Sequence, residues 1–226
     1  MTTYKLSPSS LSLMLGCPRC FWLTQHKVWK RPPSIFPQLP NGMDKIIKAH
    51  FDRFMEKGEL PPELCENQNC KGLKLFEDMK LLNDWRSNFK GIRWADKDGN
   101  VFFGAVDNIM VKENKLVVLD FKTKGFPIKD MDEASNYYQN QLDIYNLLLR
   151  KNKYETEDYA FLLYYIPKEI TKTGEFIFDT ELVKMDIDTD NALGIFDNAL
   201  RVLDDECPEK GCEWCKEVKN DSNIQD

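Results

Sequence analysis

Apolar side chains recur at steps of three and four residues in several stretches, the spacing that gives a helix one buried face. The clearest stretch, 130–151, places Leu142, Tyr145 and Leu149 on one side. Helices are predicted at 5–15, 42–58, 130–151 and 190–204, and helix or mixed structure at 73–89. Four prolines in 31–41 exclude a regular helix there and predict an extended connector.

Short apolar runs between turn residues predict strands in the middle of the chain. Asp98-Gly99-Asn100 and Glu113-Asn114 separate three of these runs and favour hairpins, so we expect an antiparallel meander. One run is apolar throughout, which suits a central strand buried on both faces. The predicted strands cover 92–97, 101–112, 115–122, 159–166 (the apolar run) and 175–187.

This order of elements predicts a mixed α/β fold: a mixed sheet flanked by helices, with an N-terminal helical elaboration. We expect one domain, because the connector contains apolar residues that require burial. The predicted parts are the helical elaboration at 1–90, the sheet and helix of the candidate site at 91–187, a C-terminal helix with a cysteine tail at 188–216 (together one domain, 1–216), and a disordered tail at 217–226.

Composition restricts the class of protein. Hydrophobic residues make up 42% of the 226, which is enough for a core. The chain has no run of eighteen apolar residues, the length that a helix needs to cross a bilayer. The first fifteen residues make a poor signal peptide, so we expect a cytoplasmic protein without a membrane partner. The net charge of -6 argues against loose binding of nucleic acid, although metal-binding carboxylates would account for part of it.

The candidate chemistry lies on two neighbouring predicted strands. An apolar run at 117–119 leads into Asp120, Phe121 and Lys122, and Asp107 belongs to the preceding strand. Strand alternation puts Asp120 and Lys122 on one face, with Phe121 in the core. Mg²⁺ prefers oxygen ligands, so the two aspartates and the Phe121 carbonyl form a candidate site. Solvated charges at an exposed strand end are the alternative, but the apolar run indicates a buried strand.

Two polar residues on the predicted helix 130–151 can face the same site. Gln141 and Tyr145 are four residues apart, so they share one side of that helix. Lys122 could orient or deprotonate a water and offset charge that develops on a phosphate. A bound metal ion would lower the pKa of that water, so the pattern favours hydrolysis of a phosphate ester.

Three stretches in this order resemble the PD-(D/E)xK nucleases, and within them the RecB-type exonuclease branch that includes the CRISPR-adaptation nucleases. They are Gly-Ala-Val-Asp at 104–107, Leu-Asp-Phe-Lys-Thr at 119–123 and Gln-Leu-Asp-Ile-Tyr at 141–145. A Cys-Pro-Arg near the start and the cysteines near the end match as well, so the resemblance covers about residues 7–215. It implies a restriction-endonuclease-like core.

The resemblance also implies roles for the motif residues. Asp107 and Asp120 would bind Mg²⁺ or Mn²⁺, Lys122 would be catalytic, and Gln141 with Tyr145 would complete the helix motif of the branch. The implied activity is that of a deoxyribonuclease, an exonuclease on single-stranded DNA or DNA ends that uses a metal-activated water. Protein partners in a repair, recombination or CRISPR complex are also implied.

The chain departs from the branch at one position. The branch usually has a histidine on an early helix, after a glycine, as a further metal ligand. The helix after Gly42 offers Lys48 and His50, and neither has the usual spacing. His50 is thus a candidate ligand, although a lone histidine on a mostly apolar helix face is more often structural.

Seven cysteines, an odd number, argue against a disulfide framework. Cys17 and Cys20 form one Cys-x-x-Cys pair, and Cys212 and Cys215 form a second near the other end. Two such pairs can supply four thiolates to one tetrahedral metal ion, and on spacing alone that ion could be zinc.

The resemblance suggests a [4Fe–4S] cluster instead, because the branch often holds one with one early and three late cysteines. The late cysteines here, Cys207, Cys212 and Cys215, depart from the usual order of spacings, and Cys20 is a second early thiol. We therefore prefer the two pairs as the ligands, with Cys207 in place of Cys20 as the alternative.

Three functions remain open at this point. The preferred one is the metal-dependent deoxyribonuclease with a structural [4Fe–4S] cluster. The first alternative is a non-catalytic nucleic-acid-binding or scaffold protein that keeps the same fold and metal centre, and the second is a zinc-containing protein of unrelated function.

Overall fold

The computed structural model describes residues 2–33, 38–127 and 131–218, and only the backbone of 131–137. Parts of the predicted connector and most of the predicted disordered tail lie outside these residues. The strands are β1 (Lys5–Leu6), β2 (Leu73–Leu75), β3 (Ile92–Ala95), β4 (Val101–Gly104), β5 (Asn108–Lys112), β6 (Lys115–Thr123), β7 (Tyr159–Ile170) and β8 (Phe176–Asp186). The helices are α1 (Pro8–Gly16), α2 (Pro18–Gln25), α3 (Gln38–Met55), α4 (Pro62–Cys65), α5 (Met79–Arg86), α6 (Met131–Lys151) and α7 (Thr189–Asp204).

Two mixed sheets form the framework of the fold. The smaller has the order β1-β4-β3, with β1 parallel to β4. The larger has the order β2-β5-β6-β7-β8. In it β6 and β7 are parallel, and the other neighbouring pairs of strands are antiparallel. Helices flank the sheets, and α6 packs against strands of both. The predicted mixed α/β fold is confirmed, with two sheets in place of the single one that we expected.

The prediction of one strand over 101–112 is wrong. The chain leaves the smaller sheet after Gly104 and enters the larger one as β5, so the expected meander is divided between two sheets. Between them Val106 is buried, and its N–H donates to the Trp85 carbonyl at 3.2 Å. The apolar pattern continues through this break. Such a pattern indicates burial but not which sheet a residue joins, so the sequence did not reveal the division. Asp107 therefore lies in the bend before β5.

Helix α3 begins at Gln38, inside the stretch that we expected to be extended. Pro40 is its third residue, and the first turn of a helix tolerates proline because the N–H groups there have no acceptor within the helix. The region 1–90, predicted as a helical elaboration, contains α1 to α5 and also contributes β1 and β2 to the two sheets. Its division from the rest of the domain stays a prediction.

The strands β6 and β7 lie at the centre of the larger sheet. Residues 159–166 are all buried, as predicted for a central strand. On β6, Val117, Val118 and Leu119 are completely buried. Asp120 follows this apolar run directly, so a carboxyl group is placed in β6 where the strand is still buried.

We expect Leu162→Ala to lower the free energy of unfolding by about 2–5 kcal/mol, because Leu162 is completely buried in β7 and the truncation leaves a cavity. Urea denaturation followed by circular dichroism measures the loss. Leu15→Ala is the matched control: Leu15 on α1 is 52% exposed, and its truncation should change the free energy by less than about 0.5 kcal/mol. Equal losses in both variants would contradict the central position of β7.

Candidate active site and metal centre

The pairing of β5 with β6 brings the two aspartates together. Asn108 pairs with Leu119, so the next step of this antiparallel register places Asp107 opposite Asp120. The backbone N–H of Phe121 donates to Oδ2 of Asp107 at 3.0 Å and holds that carboxylate at the end of β6. The structure thus brings together the two carboxylates that the sequence singled out, and their role as metal ligands stays a prediction.

Asp120 is a carboxyl group in the protein interior. It is 1% exposed, and Lys122, on the same face of β6, forms an ion pair with it. Burial raises the pKa of Asp120 to about 7; the ammonium of Lys122 opposes this shift, and the charge of Asp107 adds to it. Because a buried carboxylate is stable only beside positive charge, this position favours a cation.

Lys122 is held by polar groups of α6. Its Nζ donates to Oε1 of Gln141 at 3.2 Å, and Nε2 of Gln141 donates to Oη of Tyr145 at 2.7 Å. The Lys122 ammonium also lies 4.4 Å from the centre of the Tyr138 ring, a cation–π contact. Burial lowers the pKa of Lys122, but the charge of Asp120 outweighs burial and the pKa is raised, so the side chain is a permanent cation at neutral pH.

The motif residue Gly104 has a structural role that the sequence did not reveal. A Cβ at this position would lie 2.9 Å from Cε1 of Tyr145, so the absence of a side chain lets the ring pack directly on β4. Burial raises the pKa of Tyr145 well above its ordinary value, which keeps the hydroxyl protonated while it accepts from Gln141. Gly104 therefore contributes to the position of the polar groups on α6.

Phe121 points away from the carboxylates, in agreement with strand alternation. Its ring centre lies 4.6 Å from that of Phe51 on α3, and the residue is buried. This contact packs α3 against β6 and brings polar residues of α3 close to Asp107. The assignment of the Phe121 carbonyl as a metal ligand stays a prediction.

His50 lies against a different carboxylate from the predicted ones. Its Nε2 is 3.0 Å from Oε1 of Glu63, which also accepts from Oη of Tyr165 at 2.8 Å. The residue of α3 that contacts Asp107 is Lys48, and two residues along a helix turn the side chain by about 200°. The structure therefore brings Lys48, and not His50, to the aspartates.

Lys48 contacts two carboxylates. Its Nζ lies 2.8 Å from Oδ1 of Asp107 and 2.9 Å from Oδ1 of Asp44, one turn earlier on α3. Burial would lower the pKa of Lys48, but the charge of Asp107 outweighs it and raises the pKa. The sequence offered Lys48 without showing its contact with Asp107, and it gave no sign of Asp44, because an acid and a base four residues apart usually form a solvated pair on a helix surface.

A second candidate site consists of four thiols from distant parts of the chain. The Sγ atoms of Cys17 and Cys215 are 3.7 Å apart, those of Cys20 and Cys212 are 3.5 Å apart, and those of Cys212 and Cys215 are 3.9 Å apart. All four Sγ atoms lie within 4.8 Å of one another. The structure thus gathers the preferred quartet into a group that could bind a metal centre.

Local structure positions each pair of thiols. Cys17 precedes α2 and caps it: its Sγ accepts the N–H of Cys20 at 3.5 Å, and Pro18 starts the helix. In the other pair, a turn brings the N–H of Cys215 to the carbonyl of Cys212 at 3.1 Å. The sequence did not predict α2, because its eight residues are too few to show a clear helical period.

Cys207, the alternative ligand, has another partner. Arg19 donates from Nη1 to its Sγ at 3.4 Å. The same guanidinium donates to the carbonyls of Pro208 and Val218 at 2.8 and 2.7 Å, so Arg19 connects α2 to the segment after α7. In the described part of the chain, Cys207 is not one of the four gathered thiols.

Arg31 supplies positive charge to the four thiols. Its Nη2 donates to Sγ of Cys212 at 3.2 Å and to Sγ of Cys20 at 3.5 Å. Burial raises the pKa of Cys20 to about 12, whereas backbone N–H groups such as that of Trp214 overcome burial and lower the pKa of Cys212 to about 6. Thiolates are the form of cysteine that binds metal, and the guanidinium stabilises them.

The two sites differ in the metal that they suit. Carboxylate oxygens suit hard ions such as Mg²⁺ and Mn²⁺, whereas thiolates suit zinc or iron–sulfur clusters. The first site can therefore take part in phosphoester chemistry, and the second can connect the two parts of the chain that supply its thiols.

No curated protein matches the chain. Among solved structures, the chain is similar to the crystal structure of SSO0001, with 13% identity, 89% of this chain and 78% of that chain covered, and a TM-score of 0.44. Within the described residues, no helix combines the length and the apolar character that crossing a membrane requires.

The PD-(D/E)XK nuclease superfamily matches residues 37–219, which make up most of the chain and include both aspartates, Lys122 and the polar residues of α6. This superfamily consists of nucleases that act on nucleic acid with divalent metal ions. The mixed sheets flanked by helices are consistent with its restriction-endonuclease-like core. The chain therefore belongs to the PD-(D/E)XK nuclease superfamily.

Proposed function

We propose that the chain is a metal-dependent deoxyribonuclease, an exonuclease that hydrolyses phosphodiester bonds in single-stranded DNA or at DNA ends. The observation that carries this proposal is the meeting of Asp107, Asp120 and Lys122 at the end of β6. The resemblance of the three motifs to the RecB-type exonuclease branch supports the preference for DNA and for ends. It also supports partners in a repair, recombination or CRISPR complex.

Asp107 and Asp120 fit a hard divalent ion. Mg²⁺ and Mn²⁺ take carboxylate oxygens, and these two carboxylates lie side by side with Asp120 buried. We propose that they hold the ion, with the Phe121 carbonyl as a third oxygen ligand. When bound, such an ion lowers the pKa of a water and polarises a phosphoryl oxygen.

Lys122 is the preorganised cation of the site. Its Nζ is fixed between Asp120 and Gln141, so it can stabilise negative charge on a phosphate without reorganising. A cavity of about 230 Å³ beside it, lined also by Thr123, gives a phosphate access. Gln141 and Tyr145 are positioning residues: the tyrosine packs on β4 and holds the amide, and the amide holds the ammonium.

We expect Lys122→Ala and Asp120→Ala each to reduce cleavage of end-labelled single-stranded DNA by at least about 100-fold, because each removes a charged group from the reacting centre. Gel assays with Mg²⁺ or Mn²⁺ measure the rate, and circular dichroism checks the fold. Lys115→Ala, which removes an exposed lysine from the other end of β6, should retain activity. A parent chain that binds DNA without cleaving it would favour the non-catalytic alternative.

Binding of Mn²⁺ should weaken as the pH falls below about 7. Burial raises the pKa of Asp120 to about 7, so at lower pH this carboxyl binds a proton that the ion has to displace. One displaced proton gives about a tenfold weaker apparent affinity for each pH unit, whereas a carboxyl with an ordinary pKa would leave the affinity constant down to about pH 4. Titration calorimetry between about pH 5 and 8 measures the slope, and a constant Kd over this range would contradict the expectation.

We propose that Cys17, Cys20, Cys212 and Cys215 hold a metal centre that joins α2 to the segment after α7. Four sulfur atoms around one zinc ion, at Zn–S distances of about 2.3 Å, lie about 3.8 Å apart. All six separations between the four sulfur atoms are within 4.8 Å, and three of them, at 3.5 Å, 3.7 Å and 3.9 Å, support one such ion. A [4Fe–4S] cluster, which the resemblance suggests, is the alternative occupant of these four thiols and would hold their sulfur atoms farther apart.

Metal analysis of the chain purified without air should find about one zinc ion per chain in a colourless sample. We expect Cys212→Ser to lose this ion and about 4 kcal/mol of stability at a metal concentration of about a thousand times Kd. Cys207→Ser, which changes the neighbouring thiol outside the quartet, should keep both the ion and the stability. About four irons per chain, with absorbance near 400 nm, would show the cluster instead.

A further inference from the structure

The ammonium of Lys48 lies between two carboxylates of different elements. One is Asp107, the candidate metal ligand, and the other is Asp44, which faces the same cavity as Lys122. The second oxygen of Asp107 already accepts the N–H of Phe121. Both oxygens of Asp107 therefore have a partner from the protein itself.

The position of Lys48 is fixed by contacts on both sides of α3. Arg86 of α5 donates from Nε to the carbonyl of Asp107 at 2.7 Å and from Nη1 to Oδ1 of Asp52 at 2.7 Å. Asp52 is one turn after Lys48 on α3, so a single guanidinium holds this helix to the bend that contains Asp107. On the other side, the ring of Phe51 packs against β6. The helix that carries Lys48 is thus held on both sides, and the ammonium is part of the preformed site.

We propose that Lys48 takes the place of a second divalent ion, so that this nuclease site binds one ion, held by Asp107 and Asp120, while Asp44 pairs with the ammonium. This inference rests on the proposed function of the site. Nucleases with two ions hold them about 3.5–4 Å apart between shared carboxylates. Here the group that two carboxylates share is a lysine Nζ.

The distances show that an ion could replace the ammonium if Lys48 were removed. The carboxylate oxygens lie 2.8 and 2.9 Å from Nζ. Mg²⁺ binds oxygen at about 2.1 Å, so each carboxylate would have to move by roughly 0.7 Å to ligate an ion at that point. The carboxylates of Asp44 and Asp107 therefore form a second ion site that the lysine closes.

The charges of the site favour a single ion. The three carboxylates of Asp44, Asp107 and Asp120 and the two ammonium groups of Lys48 and Lys122 leave one net negative charge. One divalent ion changes this to one positive charge, which suits a phosphodiester with one negative charge. A second ion would raise it to three positive charges in a partly buried site, where like charges repel strongly.

Counting bound Mn²⁺ tests the inference without any measurement of cleavage. The full chain, with its thiol site loaded as purified, is titrated with Mn²⁺ alone, and the electron paramagnetic resonance signal of free Mn²⁺ gives the number of ions bound. We expect one ion for the parent and two for Lys48→Gln. Lys45→Gln, which removes an exposed lysine from the same helix, is the matched control and should bind one.

Two further variants identify the second ion and cover a failure of Lys48→Gln to fold. Lys48→Gln combined with Asp44→Asn should return to one ion, because Asp44, a ligand of the second ion site, is gone. Asp44→Asn alone should still bind one ion, since Asp44 holds the ammonium and not the ion in the parent. Thermal melting gives a second readout: Mn²⁺ should raise the Tm of Lys48→Gln more than that of the parent.

The outcomes separate this inference from the function on which it rests. Two ions in the parent, a loss of the single ion in Asp44→Asn, or one ion in folded Lys48→Gln would overturn the role of Lys48 and leave the nuclease proposal standing. A parent chain that binds no Mn²⁺, or whose ion persists in Asp120→Asn, would overturn both.

Discussion

The buried carboxylate of Asp120 is the constraint on which the candidate site depends. Removing such a charge from water costs several kcal/mol unless a cation lies beside it, and Lys122 on the same strand face is that cation. Asp107, held by the N–H of Phe121, adds a second negative charge, and Lys48 approaches it from α3. Charges of opposite sign thus alternate from the core towards the surface, and they come from three segments: β6, the bend before β5, and α3.

Helix α6 connects these charges to the second sheet. Gln141 contacts Lys122 on β6, and one turn later Tyr145 packs on Gly104 of β4. The three residues at 105–107 carry the chain from one sheet to the other, and the last of them is a candidate metal ligand. The geometry at Lys122 is therefore set by how the two sheets are placed relative to each other, which explains why the motif begins with a glycine.

The sequence predicted those features that depend on local pattern. The apolar run before Asp120 indicated a buried strand, and the spacing of Gln141 and Tyr145 indicated one helix face. The split of 101–112 between two sheets left no local signal, since both halves are equally apolar. The contact of Lys48 with Asp107 depends on how α3 docks through Phe51 and Arg86, which is tertiary information. Helix spacing alone also does not show which side of α3 meets the sheet, so the sequence could not distinguish His50 from Lys48 as the residue that approaches Asp107.

The four gathered thiols have a consequence for the biosynthesis of the protein. Cys17 and Cys215 are 198 positions apart, yet their sulfur atoms lie 3.7 Å from each other. On the ribosome, the early pair emerges long before the late pair, so it waits without its partners while the intervening sheets can already form. A chain that terminates before Cys212 never completes the quartet. A complete thiol site thus requires that translation has passed Cys215, and shorter products keep the early pair of thiols without the late pair.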